Sequence, residues 1–154
     1  MSEKFVYVTY IRTTQSKLWD ALTKPEFMRV YWCGGYQESG WVKGSSWKMI
    51  QPDGKVSDTG EILESDPPKR LVIKWRNEFK PELKEEGFSR CTFSLEPTGD
   101  MIKLSVLHEM ETDVKDSKFI PAVSNGWPMI LSSLKSYLET GTPFDYVKVK
   151  ASQK

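Results

Sequence analysis

The chain opens on a two-residue alternation. Phe5, Tyr7, Thr9 and Ile11 interleave with Val6, Val8 and Tyr10, a β-rich stretch that is apolar on both faces and predicts a first strand. The period then lengthens. Leu18, Trp19 and Leu22 recur at helical spacing behind Thr13-Thr14, whose hydroxyls suit an N-cap. Thr23-Lys24-Pro25 ends this helix, because the residue before a proline resists the α conformation. Pro25 in turn suits the start of a second short helix, Glu26 to Tyr31, which Trp32-Cys33-Gly34-Gly35 breaks.

Alternation returns in two hairpins. Ser46 to Ile50 and Lys55 to Glu64 flank a turn at Pro52-Asp53-Gly54. Asp66-Pro67-Pro68 forces another turn, and Leu71, Ile73 and Trp75 then alternate with Val72, Lys74 and Arg76. The charged, proline-bearing run from Asn77 to Gly87 reads as a solvated loop. Phe88 to Glu96 places Cys91, Phe93 and Leu95 on one face. After Pro97-Thr98-Gly99-Asp100, the strand Met101 to Met110 places Ile102, Leu104, Val106, His108 and Met110 on one face.

From about Asp116 to Glu139 the period becomes helical again, with Phe119, Val123, Trp127, Ile130, Leu131, Leu134 and Leu138 on one stripe and a glycine cap at Thr140-Gly141. Pro128 lies inside that stripe and lacks the amide that would pair with the Ser124 carbonyl, so a kink or a helix start near Gly126 is expected. The tail from Thr142 to Lys154 carries Phe144, Tyr146, Val147 and Val149 and is expected to add a short strand or to fray.

This order predicts an α+β architecture in which a curved antiparallel sheet wraps a long C-terminal helix, with two short helices after the first strand. It forms one domain over residues 1–141, followed by a tail over 142–154. A twisted sheet with one apolar face must cover it, and one amphipathic helix of about 20 residues is the element long enough to do so. A single helix does not fill a broad concave sheet, so bulky side chains or a cavity must take up the remainder.

Composition narrows the function. A chain of 154 residues buries about 70% of the surface its unfolded form exposes, enough for a core without staples. The formal charge of +1 offers little field for nucleic acid or anionic lipid. No apolar run approaches the roughly 20 residues of a bilayer span, and Met1-Ser2-Glu3-Lys4 lacks signal-peptide character, so a cytosolic address without membrane insertion is expected. Two cysteines, Cys33 and Cys91, and a single histidine, His108, argue against disulfide frameworks, zinc knuckles and metal sites built on two imidazoles. No GxGxxG, Walker A or HExxH pattern occurs, and no cofactor is called for. The six tryptophans stand out as material for an aromatic interior.

Several segments together carry a resemblance. They are Trp19-Asp20-Ala21-Leu22-Thr23, Thr59-Gly60-Glu61-Ile62-Leu63-Glu64 followed by Asp66-Pro67-Pro68-Lys69-Arg70-Leu71, Lys74-Trp75, Leu107-His108-Glu109, and Gly126-Trp127-Pro128-Met129-Ile130-Leu131 with Leu138-Glu139-Thr140-Gly141. In this order and spacing, from about Phe5 to Gly141, the sequence resembles the family of activator of Hsp90 ATPase homologues within the START-related SRPBCC superfamily. The resemblance implies the helix-grip fold around a deep apolar pocket. It implies a function drawn from ligand carriage, cyclase-type catalysis or chaperone regulation, since fold constrains function weakly.

Alternation nominates the pocket wall: Trp75, Phe93, Cys91, Val106 and His108 from the strands, Trp127 and Leu131 from the long helix, and Trp47 with Met49 if the first hairpin turns that face inward. Trp32 and Trp41, in glycine-bounded loops, are rim candidates. Each is also an ordinary core residue on pattern alone. His108 is the one polar group on the apolar faces, and burial would keep it neutral. It admits three roles: a structural donor to a backbone carbonyl, a polar contact for a greasy ligand, or a base paired with Glu61 or Asp58. The preferred reading is a binding protein for a small apolar ligand, lipid-like or aromatic. The alternatives are a cyclase- or hydrolase-type enzyme and an Hsp90-related co-chaperone or stress-response protein with a protein partner.

Overall fold

A computed structural model describes residues 4–144. The strands are β1 (Lys4–Ile11), β2 (Tyr36–Ser39), β3 (Ser46–Ile50), β4 (Val56–Asp66), β5 (Arg70–Asn77), β6 (Ser89–Thr98) and β7 (Met101–Met110). The helices are α1 (Gln15–Thr23), α2 (Pro25–Tyr31), α3 (Pro81–Lys84) and α4 (Phe119–Thr140). The strands form one antiparallel sheet in the order β1-β7-β6-β5-β4-β3-β2, curved and unclosed, so that β1 and β2 are its edges. α4 lies in the concavity against β1, β7 and α2.

The alternation of each strand maps onto the two faces of the sheet. Ile102, Leu104, Val106, His108 and Met110 of β7 are buried, as are Cys91, Phe93 and Leu95 of β6, Leu71, Ile73 and Trp75 of β5, and Trp47 and Met49 of β3. On β1 the register pairs Phe5 with His108 and Tyr7 with Val106, which turns Val6, Val8 and Tyr10 to the outer face, where all three are exposed. Thr14 caps α1 by accepting a hydrogen bond from the Lys17 amide at 3.1 Å. Gly141 ends α4 in the left-handed region at φ 84°, with its amide donating to the Tyr137 carbonyl. The end of α4 is tied to β1 by the Arg12 amide donating to Glu139 and by the Lys135 ammonium donating to the Tyr10 carbonyl.

Three expectations need correction. The glycine-bounded segment after Trp32 contains β2, a strand of four residues whose Gln37 is buried beneath the indole N–H of Trp47. The run from Asn77 to Gly87 is not a wholly solvated loop: it holds α3, with Leu83 buried in the core. Glu86 just beyond α3 then accepts hydrogen bonds from Ser117 Oγ and the Lys118 amide, anchoring the segment to the start of α4, where helix amides lack partners of their own. Finally, of the two outcomes expected around Pro128, a helix start near Gly126 is overturned. α4 runs unbroken through Gly126 and Pro128, with Phe119 and Ile120 buried a full two turns earlier. The expectation for the tail covers residues 142–154, of which 145–154 lie outside the described residues.

Candidate functional site

Cross-strand register brings the aromatic residues together. Trp47, Gly60 and Trp75 are direct neighbours on β3, β4 and β5, and a Cβ on Gly60 would run into the Lys74 carbonyl oxygen. With nothing but hydrogen between them, the two flanking indoles close over the glycine to a centroid separation of 4.3 Å. The array continues from Trp75 to Trp127 on α4, edge to face at 5.7 Å, and from Trp127 to Phe93 and to Trp32, each at 5.8 Å. The indole of Trp75 donates toward the mouth of the sheet and that of Trp127 donates inward, so the array has two polar ends.

The inner end is His108, fully buried. Trp127 Nε1 donates to His108 Nδ1 at 3.1 Å, and an indole N–H only donates, so Nδ1 is the unprotonated nitrogen. His108 Nε2 lies 2.8 Å from Ser89 Oγ, which itself donates to the Trp75 carbonyl at 2.9 Å. Nε2–H therefore donates to the serine, and the chain runs Trp127, His108, Ser89, Trp75 with every step satisfied. Burial depresses the imidazole to about 3, holding it neutral. The expected carbonyl partner is thus reached through Ser89 rather than directly. Neither candidate carboxylate reaches the ring: Glu61 faces the opposite side of β4 from Gly60, and Asp58 binds elsewhere.

Asp58 is the outer end, on the row between Trp75 and the hairpin tip. It is 8% exposed. Oδ2 accepts from Trp75 Nε1 at 2.7 Å and from Asn77 Nδ2 at 3.4 Å, and Oδ1 accepts from Ser57 Oγ at 2.5 Å. Ser57 in turn accepts from Gln51 Nε2 at 2.7 Å. Every donor is neutral, and burial raises the carboxyl above its ordinary range despite them. Glu78, only one residue beyond Asn77, shows the contrary arrangement: it sits against the Arg76 guanidinium at 2.6 Å and is held low.

Between Asp58 and α4 lies a cavity of about 190 Å³, whose walls include Trp32, Trp75, Trp127, Phe119 and Leu83. It meets a larger recess of about 530 Å³ between the hairpin tip and Phe79, and Gln51, Asp58 and Asn77 line both. Of the residues nominated from the sequence, Met49, Trp75 and Trp127 line the inner cavity. Trp47, Cys91, Phe93, Val106, His108 and Leu131 are buried and are not in its wall. Of the two rim candidates, Trp32 is in the wall, and Trp41 packs on the core away from it.

Pattern reasoning missed Gln51, Asn77, Phe119 and Gly126, the further wall residues Leu83, Ala122, Val123 and Ile130, and Asp58 in its own right. One signal was available. Gly126 is a glycine inside a helical stripe; its position faces the cavity, and a Cβ there meets nothing within 4 Å.

A curved antiparallel sheet gripping one long helix over an aromatic interior defines the helix-grip class. The sequence profile of the family described as Activator of Hsp90 ATPase homolog 1-like protein matches residues 12–139, and the chain belongs to that family. No curated protein matches the sequence. Among solved structures, the chain is similar to protein MLL2253 from Mesorhizobium loti, with a TM-score of 0.73 at 22% identity over 88% of this chain and 96% of that one. It is similar also to CalU16 from Micromonospora echinospora, with a TM-score of 0.72 at 20% identity over 99% of this chain and 82% of that one. A third is PFC0360w, an HSP90 activator from Plasmodium falciparum, with a TM-score of 0.66 at 18% identity over 97% and 96% of the two chains. At these identities the likeness is one of fold.

Proposed function

We propose that this chain is a cytosolic binding protein for a small apolar or aromatic molecule, held between Trp75 of the sheet and the first half of α4. The observation that carries this reading is the cavity walled by Trp32, Trp75 and Trp127, which communicates with an open recess past a few polar groups. Concave, mostly apolar sites with sparse polar decoration are the form small-molecule sites take. Burial of apolar ligand surface contributes roughly 25 cal/mol per Å², offset by the cost of immobilising the ligand, so micromolar affinity is expected. The segment carrying α3, latched to α4 through Glu86, is the part best placed to move during entry.

The enzyme reading has no support at His108, because both ring nitrogens are engaged internally and no carboxylate reaches them. A saturable quench of tryptophan fluorescence by 2-naphthol or octanoate tests the binding reading. Gly126→Leu, which fills the cavity from a position with free space and favours the helix, is expected to abolish the quench while keeping thermal stability. Undiminished quenching in that variant would place the binding elsewhere.

The exposed row Val6, Val8 and Tyr10 on edge strand β1, together with the family assignment, supports a second reading in which the outer face contacts Hsp90. Stimulation of a purified Hsp90 ATPase, lost in Val6→Lys/Val8→Lys, is the outcome this reading requires. An unchanged rate at saturating protein opposes it.

A further inference from the structure

The inner cavity has one charged residue in its wall, Asp58. Its remaining lining is aromatic, aliphatic or amide, and His108, one row deeper, is neutral. In the outer recess the charged residues besides Asp58 are Asp53 and Lys55; Asp53 is turned to the Lys55 backbone amide at 2.9 Å, and the Lys55 ammonium is in no ion pair with Asp58. Ion pairs among the described residues engage Asp20, Glu64, Glu78, Asp100 and Glu139, all with partly or largely exposed side chains. Asp58, the buried carboxyl among the described residues, is in none of these pairs.

Burial of a carboxylate without a cationic partner is costly, and proteins rarely retain one without a use. The hydrogen bonds do not remove the problem. Two carboxylate oxygens offer about four acceptor positions, and three are taken by neutral donors, the weakest of them Asn77 at 3.4 Å. The same network also fixes the carboxyl in place, since the Trp75 indole and the Gln51–Ser57 pair hold its two oxygens from opposite sides. A fixed acceptor with spare capacity thus sits at the rim of a chamber walled by three indoles, whose faces attract cations.

We infer that the ligand of this site is an organic cation: an aromatic or aliphatic body seated among Trp32, Trp75 and Trp127, with an ammonium group that pairs with Asp58. This rests on the binding reading above and names its ligand class. The apolar body accounts for the walls and the ammonium for the missing counter-charge. No covalent step is involved.

Three probes of one shape test it: 2-phenylethylamine, 2-phenylethanol and 3-phenylpropanoate, titrated into the intact protein at pH 7 by calorimetry. The amine is expected to bind about tenfold more tightly than the alcohol, the worth of one charge-assisted hydrogen bond, with the acid weakest. In Asp58→Asn, an isosteric change, the advantage of the amine over the alcohol should disappear. Equal or tighter binding of alcohol or acid by the wild type would overturn the cation assignment and leave the binding site standing. Failure of all three to bind would remove the site itself and the assignment with it. The wild-type comparison needs no variant, so a folding defect in Asp58→Asn does not obscure the result.

Discussion

His108 and Asp58 lie on either side of Trp75, both buried, both held by an indole N–H, and their situations are opposite. The imidazole is an internal relay: it takes a hydrogen bond from Trp127 and gives one to Ser89, and nothing remains for a guest. The carboxyl takes hydrogen bonds from neutral groups, faces a cavity and, among the described residues, is in no ion pair. The difference teaches that burial of a polar group does not by itself mark a site. What marks one is hydrogen-bonding and charge capacity left unmet beside free volume.

The most severe test of this contrast strikes the inner end. Trp127→Ala removes a buried indole and strands His108 Nδ1, and a loss of about 3–5 kcal/mol in urea unfolding is expected. Trp127→Phe keeps most of the ring and loses only the donor, so it should cost about 1–3 kcal/mol. A loss much smaller than this in either variant would show that the relay is not what holds this end together.

Gly60→Ala comes next. A Cβ there meets the Lys74 carbonyl, so the β4–β5 ladder must open and the Trp47–Trp75 contact must loosen, at about 1–3 kcal/mol. Because the two polar ends share Trp75, this variant should weaken ligand binding as well as stability.

Acid titration separates the two ends by sign. His108 is depressed to about 3 in the folded chain against 6.5 as its ordinary value, so between these values the unfolded state holds the extra proton. Stability from this residue is complete above pH 6.5 and falls by up to about 1.4 kcal/mol for each pH unit below it. Asp58 is raised, so the folded state takes its proton first, and its contribution improves as pH falls through the folded value toward 3.8. Urea midpoints between pH 7 and 4 should therefore fall less steeply in His108→Asn than in the wild type, and more steeply in Asp58→Asn.

The smallest expected effect is that of Asp58→Asn on stability at pH 7. The amide oxygen can keep the Trp75 bond, its NH₂ can turn to Ser57, and the uncompensated charge disappears, so the change should stay within about 1 kcal/mol. A large loss would reassign Asp58 to the relay's class, as a structural group.

Much of the fold was readable because strand faces follow a period of two. The five inward positions of β7 and the three of β6 were assigned from alternation and are the buried ones. β2 and α3 escaped for a common reason: each is four residues long, too short to show a period, and each is fixed by one side chain whose partner is distant in sequence. Gln37 answers Trp47, and Leu83 reaches the core.

The site was readable in part. Trp75 and Trp127 were nominated and do line the cavity, because an inward tryptophan near the end of a strand or on the helix stripe has nowhere else to go. The depth at which core gives way to free volume is a three-dimensional property, and six nominated residues are buried outside the cavity wall. Asp58 was weighed only as a partner for His108. Its inward direction depends on register around the irregularity at Met49 and Ile50, which no local pattern reveals.

The most direct test uses the indole N–H resonances of the tryptophans in a ¹H–¹⁵N spectrum during titration with 2-phenylethylamine. Trp75 and Trp127, in the cavity wall, should shift progressively and saturably, while Trp47, buried against Gln37, should stay nearly still. Saturable binding that moves Trp47 and leaves Trp75 and Trp127 in place would contradict a ligand site at the Asp58 end of the sheet.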